Sequence, residues 1–242
     1  MISRAMQLIK TLITDPSSYQ DLSRRVRDEK LIEKFVSDPE FPFFVSFPRT
    51  GSHWMRLMME LYFERPSLVR AFYYKDSQDF MSYHTHDLDL DVYRKNVIYL
   101  YRDPVPTIYS QLNFYQENTN DKEKIEYWSN LYGKHLGKWL IDETVSEKKT
   151  ILRYERLKAS IEDEFSKVTD HFGKSLDKEK LNQIKDRVSK EEVKKKTYHD
   201  PRVIARDNNY ELSREDFTRL HSDWVYECVL KQNSGLANYL EV

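Results

Sequence analysis

The chain contains little of what defines several common protein classes. Its 242 residues include one cysteine, five glycines and nearly equal numbers of acidic and basic side chains, with a formal net charge of −1. A single cysteine rules out a disulfide within the chain and is typical of a reducing compartment, so we expect a cytoplasmic protein. Balanced charge argues against a nucleic-acid partner, because general nucleic-acid binders carry a basic surface.

Long apolar runs are also missing. No stretch approaches the roughly 20 apolar residues that a membrane-spanning helix needs, so we expect no membrane span. The short apolar segment at residues 5–13 is interrupted by Lys10 and does not have the form of a signal peptide. An amphipathic helix that packs on the rest of the chain is the expectation for this segment.

The most informative segment is residues 43–54, with the sequence FFVSFPRTGSHW. It predicts a buried strand, a tight polar turn and the start of a helix, whose apolar residues recur at helical spacing up to Tyr62. A helix N-terminus offers free N–H donors and a positive dipole end to a phosphate or sulfate. Such turns often bind nothing, so the loop alone leaves both interpretations open. The turn adds residues suited to an anion: Arg49, Thr50, Gly51 and Ser52.

A second strand-and-turn follows at residues 96–110. The β-forming run from Asn96 to Tyr101 predicts a central parallel strand, and Arg102 comes directly after it, where open α/β sheets place ligands. Ser110 lies eight residues later, inside a predicted helix, so a guanidinium and a hydroxyl can converge on one phosphate. A surface ion pair between Arg102 and Asp103 is the alternative.

Between these two segments lies the sequence Tyr83-His84-Thr85-His86. Two histidines in this spacing on a strand share one face, and an imidazole is a suitable general base near neutral pH. With Asp87 or Asp89 the pair also permits a metal site, but no further His or Cys has fitting spacing, so we expect no metal. Purely structural histidines are the remaining alternative.

Taken together, these segments resemble the sulfotransferases that use 3'-phosphoadenosine 5'-phosphosulfate (PAPS). The turn P-R-T-G-S-H-W is similar to the family's phosphosulfate-binding loop, and the Arg102–Ser110 spacing is similar to its 3'-phosphate motif. Tyr83–His86 is similar to the F-K-T-H segment that carries the family's general base. The resemblance implies PAPS as donor, PAP as product and no required metal. It also implies a three-layer α/β fold with a central, mainly parallel sheet, of P-loop NTPase-like sulfotransferase architecture.

The resemblance also implies a role for each matching residue. His86 is the expected general base, and His84, which replaces a family lysine, is the second candidate. Arg49, in place of the more common lysine, is expected to stabilise the leaving oxygen. Trp54 and Tyr154 have core packing as an equal alternative. The expected cofactor-binding residues are Arg49, Thr50, Gly51, Ser52, His53, Trp54, Arg102, Ser110 and Tyr154.

The family's late K-G segment has no clear copy here. Lys194–Lys196, Arg202 and Arg206 are the basic candidates to cover the 3'-phosphate, and solvated surface charge is the alternative. We expect one domain over residues 1–242. It comprises an N-terminal helical segment (1–40), a PAPS-binding core (41–157) and a mostly helical C-terminal part (158–242), whose last helix is predicted to start with a capping box at Ser213–Asp216.

The sequence therefore predicts a sulfotransferase that moves a sulfuryl group to a hydroxyl or amine of a small molecule or glycan, with a histidine base. One alternative is a P-loop kinase, although the turn lacks the Lys-Ser/Thr pair that such kinases need. The other is a nucleotide-binding relative without activity. The acceptor and the oligomeric state stay open.

Overall fold

A five-stranded parallel sheet forms the centre of the computed structural model, which describes residues 24–25, 28–189, 192–193 and 209–240. The strand order across the sheet is β3-β5-β2-β6-β7. This arrangement confirms the predicted α/β fold with a central parallel sheet. The strands are β2 (Phe43–Ser46), β3 (Ser67–Leu68), β5 (Ser82–Thr85), β6 (Asn96–Tyr101) and β7 (Lys148–Arg153), with a separate antiparallel pair of β1 (Arg24–Arg25) and β4 (Arg70–Ala71).

Helices connect the strands and cover both faces of the sheet. A π-helical turn, Gly137–Ile141, directly follows the helix that ends at Leu136, and short 3₁₀ turns occur at Asp186–Val188 and Ser234–Leu236. The helices are α1 (Glu29–Val36), α2 (Ser52–Phe63), α3 (Pro104–Tyr115), α4 (Lys122–Leu136), α5 (Tyr154–Ala159), α6 (Ile161–His171), α7 (Lys178–Lys185), α8 (Tyr210–Gln232) and α9 (Ala237–Leu240).

Two hydrophobic cores lie on opposite faces of the sheet. Along β6, Val97 and Tyr99 pack on the side of α3, α4 and α8, whereas Ile98 and Leu100 pack on the side of α2, α6 and α7. Every residue of β6 is buried, as a central parallel strand covered on both faces requires. The molecule therefore has three layers, with the sheet between two groups of helices.

The parallel direction of the strands brings four turns to one edge of the sheet. The chain leaves β2 at Phe47, β5 at His86, β6 at Arg102 and β7 at Tyr154. Because parallel strands all point the same way, these exits lie side by side, at the edge where α/β proteins bind ligands. The predicted site residues lie in these turns or in the strands and helices that adjoin them.

The predicted start of the last helix is wrong. Helix α8 begins at Tyr210, and the N–H of Ser213 donates to the carbonyl of Asn209 at 2.8 Å, which places Ser213 in the first turn. Tyr210 is buried, and the centroids of its ring and the Tyr109 ring are 5.1 Å apart. The backbone carbonyl of Tyr210 accepts a hydrogen bond from the Tyr109 hydroxyl. This packing against α3 draws the helix start upstream of the capping sequence.

Several sequence predictions fall on residues outside the described part of the chain. These are the N-terminal segment before residue 24 and the late basic candidates Lys194–Lys196, Arg202 and Arg206. Among the helices of the described residues, none combines the length and apolar character needed to cross a membrane.

One buried carboxylate ties α2 to the chain that follows it. Glu60 is fully buried and accepts from the backbone N–H of Ser67 at 3.3 Å, Phe72 at 2.8 Å and Tyr73 at 3.1 Å. Burial raises the pKa of Glu60, and the N–H donors act in the opposite direction. The carboxylate therefore fixes residues 67–73 against the helix that starts at the polar turn.

We expect Glu60→Ala to lower the free energy of unfolding by about 3 kcal/mol, because three backbone N–H groups lose their buried acceptor. Glu227→Ala is the matched control, since Glu227 is an exposed glutamate inside α8 and its loss should stay within about 0.5 kcal/mol. Urea unfolding of both variants measures the difference. Equal stability of the two variants would show that Glu60 does not hold this segment.

Candidate active site

The turn between β2 and α2 forms a backbone cradle. Arg49 and Gly51 both have positive φ, 72° and 96°, and the first helical bond runs from the N–H of Met55 to the carbonyl of Gly51. Gly51 occupies the N-cap and has no side chain to cap the first turn. The N–H groups at the start of α2 are therefore directed to a ligand or to water, in the arrangement that favours an anion.

Tyr154 explains why this turn needs glycine at residue 51. A Cβ at Gly51 would lie 2.6 Å from both Cδ2 and Cε2 of the Tyr154 ring. The same ring lies under a cation, with the Arg102 guanidinium carbon 4.6 Å from its centroid. Tyr154 thus contacts both Gly51, in the turn after β2, and Arg102, in the turn after β6. All three are predicted site residues.

Arg49 contacts the residue predicted for the opposite end of the site. Its Nε donates to Ser110 Oγ at 3.1 Å, and its guanidinium lies 5.1 Å from the Phe114 ring on α3. Arg102 Nη1 donates to the carbonyl of Arg49 at 3.3 Å. The Arg49 guanidinium and the buried Ser110 hydroxyl are thus in contact, and the Arg102 guanidinium reaches the backbone of the same turn; donors of this kind suit a doubly charged phosphate.

The remaining predicted residues of the turn differ in what their side chains do. The Thr50 hydroxyl donates to the carbonyl of Phe47 at 2.8 Å and is buried, so its proton is committed within the turn. Ser52 is buried at the first position of α2. His53 accepts from Arg70 Nη1 at 3.2 Å, because a guanidinium only donates. The Thr50 hydroxyl proton is therefore not directed to an anion, whereas Nδ1 of the neutral His53 ring carries a proton and can donate.

Trp54 lies at the rim of an open cleft. Its ring meets Tyr154 edge-on, at 5.9 Å between centroids. The cleft has a volume of about 500 Å³, enough for a planar heterocycle. Its lining consists of Trp54, Leu157, Lys158, Ala159, Ser160, Ile161, Glu162 and Lys185.

Sequence reasoning missed the groups that hold Arg102 in place. The Tyr132 hydroxyl accepts from the N–H of Arg102 at 3.1 Å and donates to its carbonyl at 2.6 Å. Asp103 caps α3 by accepting from the N–H of Val105, and its second oxygen accepts from the Tyr226 hydroxyl on α8. These partners are 30 and 123 residues away along the chain, so local patterns contain no signal for them.

One ring nitrogen of His86 is hydrogen-bonded, and the other has no hydrogen-bond partner among the described residues. Nδ1 lies 2.7 Å from the carbonyl of Ser46, and since a carbonyl only accepts, Nδ1 carries the proton. This leaves Nε2 with a lone pair. Burial lowers the pKa of His86 below 6.5, so the imidazole is neutral at neutral pH. The geometry is that of a proton acceptor.

His84 has both ring nitrogens engaged. Arg56 Nη1 lies 3.4 Å from Nδ1 of His84, so this nitrogen accepts, and Nε2 donates to Ser46 Oγ at 3.2 Å. Burial and, secondly, the Arg56 charge lower the pKa of His84 well below its usual value. The two imidazoles are 4.8 Å apart and nearly perpendicular. Of the two histidines, His86 is therefore better placed to take a proton.

The acidic residue beside the histidines is committed elsewhere. The Asp87 carboxylate accepts two bonds from Arg94, at 3.0 and 3.1 Å, and one from Thr85 Oγ1 at 2.8 Å. Within the described residues, no group of three or more His, Cys, Asp or Glu side chains is placed to hold a metal ion.

Arg56 is a buried cation that sequence reasoning also missed. It is 4% exposed and lies one turn before Glu60 on the otherwise apolar buried face of α2. Burial lowers the pKa of Arg56 to about 10. An Arg–Glu pair at i, i+4 spacing inside a mostly buried helix was the available signal.

We expect Gly51→Ala to destabilise the protein more than Gly173→Ala, by at least about 1 kcal/mol. Both glycines have positive φ, which costs an alanine about 1–2 kcal/mol, but only the Cβ at residue 51 meets a ring. Urea unfolding measures both losses. In a Tyr154→Ala background the difference should vanish, and its persistence would show that the ring does not set the requirement for glycine.

Comparison with known proteins identifies the family. The sulfotransferase domain matches residues 69–224, a range that holds the two histidines, Arg102, Ser110 and Tyr154. The match begins after the polar turn, so the role of that turn rests on its own sequence and geometry. No curated protein matches the chain by sequence.

Solved structures share the fold at low sequence identity. Mouse sulfotransferase SULT7A1 complexed with PAP superimposes with a TM-score of 0.57 and 16% identity, over 91% of this chain and 98% of that one. Retinol dehydratase in complex with androsterone and PAP gives a TM-score of 0.53 and 14% identity, over 82% and 83% of the two chains. Because the sulfotransferase domain matches well over half of the sequence, the chain belongs to the sulfotransferase family.

Proposed function

We propose that this protein transfers a sulfuryl group from PAPS to an acceptor hydroxyl or amine, with His86 as the general base. Membership of the sulfotransferase family supports sulfuryl transfer in general. The base, the donor and the acceptor class are the finer parts of the proposal, and each draws on the arrangement of side chains at the carboxyl edge of the sheet.

The observation that carries the proposal is the available Nε2 of His86. The Ser46 carbonyl fixes the proton on Nδ1, and the lowered pKa keeps the ring neutral, so Nε2 can accept a proton from an attacking hydroxyl. His135 Nε2 donates to the His86 carbonyl at 2.8 Å and holds the backbone of the same residue. The imidazole is thus oriented before any acceptor arrives.

The phosphate-binding end fits PAPS in the chemistry of its donors. Arg102 Nε is buried, has no hydrogen-bond partner among the described residues and lies 3.9 Å from Glu155 Oε1; Arg102 Nη1 contacts the backbone of Arg49, whose side chain contacts Ser110. A bound 3'-phosphate would satisfy these donors. We propose that the Tyr154 ring holds the Arg102 guanidinium in place through a cation–π contact. Trp54, at the rim of the adjoining cleft, is the proposed contact for adenine.

The turn after β2 would hold the phosphosulfate. When bound, PAPS supplies the sulfuryl group and a phosphoadenosine leaving group. The free N–H groups at the start of α2 and the Arg49 guanidinium stabilise negative charge on the oxygen that departs. His86 Nε2 holds the proton taken from the acceptor. As in phosphoryl transfer, positioning and electrostatic stabilisation do most of the work.

Calorimetry separates the proposal from its two rivals. Binding of PAP in the absence of Mg²⁺ supports the sulfotransferase, whereas binding of Mg-ATP in preference to PAP would support a kinase. An inactive relative would bind PAP but fail to sulfate any acceptor in a screen with labelled PAPS. Retinol dehydratase holds androsterone in its structure, so the screen should include small-molecule alcohols beside phenols, amines and glycans.

We expect His86→Asn to lower sulfuryl transfer at least about 100-fold, because asparagine cannot take the acceptor proton, while PAP affinity changes less than about threefold. Turnover with labelled PAPS and calorimetry with PAP measure the two effects. His221→Asn, a histidine on α8 bonded to Asn120, serves as the control and should keep full activity. Retained turnover in His86→Asn alongside loss in His84→Asn would move the base to His84.

We expect Arg102→Ala to weaken PAP at least about tenfold but AMP, which lacks the 3'-phosphate, by less than about threefold. A hydrogen bond to a charged group contributes about 1.5–3 kcal/mol, and only PAP can make this one. Arg219→Ala removes an exposed guanidinium of α8 and should alter neither affinity. Equal weakening of PAP and AMP would show that Arg102 does not bind the 3'-phosphate.

A further inference from the structure

We infer that Arg56 and His84 are positioning residues, which hold His86 in the neutral, Nδ1-protonated state that can accept a proton. The inference rests on the proposed role of His86 as the base. Neither residue needs to touch a substrate for this role. It follows from a chain of hydrogen bonds between α2, β5 and β2.

The chain begins at a cation with fixed contacts. Arg56 is 4% exposed, and its Nη2 donates to the carbonyl of Arg70 at 2.8 Å. Its Nη1 lies 3.4 Å from Nδ1 of His84. Because guanidinium groups have no acceptor, this contact is possible only when His84 Nδ1 carries no proton. Arg56 therefore selects the neutral tautomer of His84 with the proton on Nε2.

Ser46 links His84 to the proposed base, because it accepts a hydrogen bond from each of the two histidines. Its Oγ accepts from His84 Nε2 at 3.2 Å, and its carbonyl accepts from His86 Nδ1 at 2.7 Å. Ser46 is fully buried at the last position of β2, where it pairs with Leu100 of β6. One fixed residue thus orients both imidazoles, and their 4.8 Å edge-on contact leaves little room for either to turn.

The arginine charges oppose protonation of His86, whereas the bond from Nδ1 to the Ser46 carbonyl fixes the tautomer and favours protonation. Glu60, the acid one turn along α2, accepts backbone N–H bonds from residues 67–73, so among the described contacts Arg56 makes no hydrogen bond to a carboxylate. Around His86, Arg49 and Arg56 oppose protonation and Asp87 favours it. Asp87 is itself paired with Arg94, and the neighbouring rings of His53, His84 and His135 all have lowered pKa values.

The test is the pH profile of kcat/KM for Arg56→Met, Arg56→Lys and the wild type. A base with lowered pKa gives an acid limb below pH 6.5, because activity appears as pH rises through the pKa. Loss of the Arg56 charge raises that pKa, so the limb should move up by roughly half a unit to one unit in Arg56→Met. In Arg56→Lys, which keeps the charge, it should stay near its wild-type position.

The same variants separate positioning from simple loss of structure. We expect kcat in Arg56→Met to fall about tenfold with the KM for PAPS within about twofold and PAP affinity unchanged. Arg70→Met is the matched control, since Arg70 Nη1 contacts His53 and the Arg70 charge is not among the main influences on the pKa of His84 or His86. Its acid limb should not move. An unmoved limb in Arg56→Met with intact PAP binding would overturn the inference.

Imidazole nitrogen chemical shifts of the wild type test the inference without any turnover. At pH 7 the proton should lie on Nδ1 of His86 and on Nε2 of His84, and both rings should be neutral. A protonated Nδ1 on His84, or a cationic His84, would overturn the inference even if Arg56→Met does not fold. Absence of transferase activity in the wild type would count against the proposed function, while these shifts would still decide the role of Arg56.

Discussion

The parallel direction of the central strands is the constraint on which the site depends. It places the exits of β2, β5, β6 and β7 at one edge, so that residues far apart in sequence become neighbours. Each exit delivers a different chemical group: a backbone cradle, an imidazole, a guanidinium and an aromatic ring. A slip of one residue in the pairing of β2 with β5 would turn Ser46 away from His84 and His86 and would dissolve the arrangement.

Positive charge is concentrated in the site to an unusual degree for a chain with balanced composition. Arg49, Arg56 and Arg102 all lie within or behind the carboxyl edge, and burial and these charges keep the histidines around them neutral. The site thereby combines two properties that oppose each other in water. Its guanidinium groups are suited to a multiply charged anion, and burial keeps the imidazoles of His84 and His86 neutral. Separation of the cations by buried, neutral rings makes the combination possible.

The sequence predicted the elements whose signals are local. The run Asn96–Tyr101 formed the expected strand, and the turn at Gly51 led into the expected helix. Predictions failed where distant contacts decide the outcome. Tyr210 extends α8 upstream because it packs on Tyr109, about a hundred residues earlier. The bond between Arg56 and His84 joins α2 to β5, and neither residue's neighbours in sequence indicate it.

The bond between Tyr226 and Asp103 extends the site into the C-terminal half of the chain. Asp103 directly follows Arg102, so helix α8 fixes the turn after β6 through the Tyr226 hydroxyl. The carboxyl edge of the sheet and helix α8 are in this respect linked. Exchange of the C-terminal half with that of a relative would preserve the turn after β6 only where a hydroxyl takes the place of Tyr226.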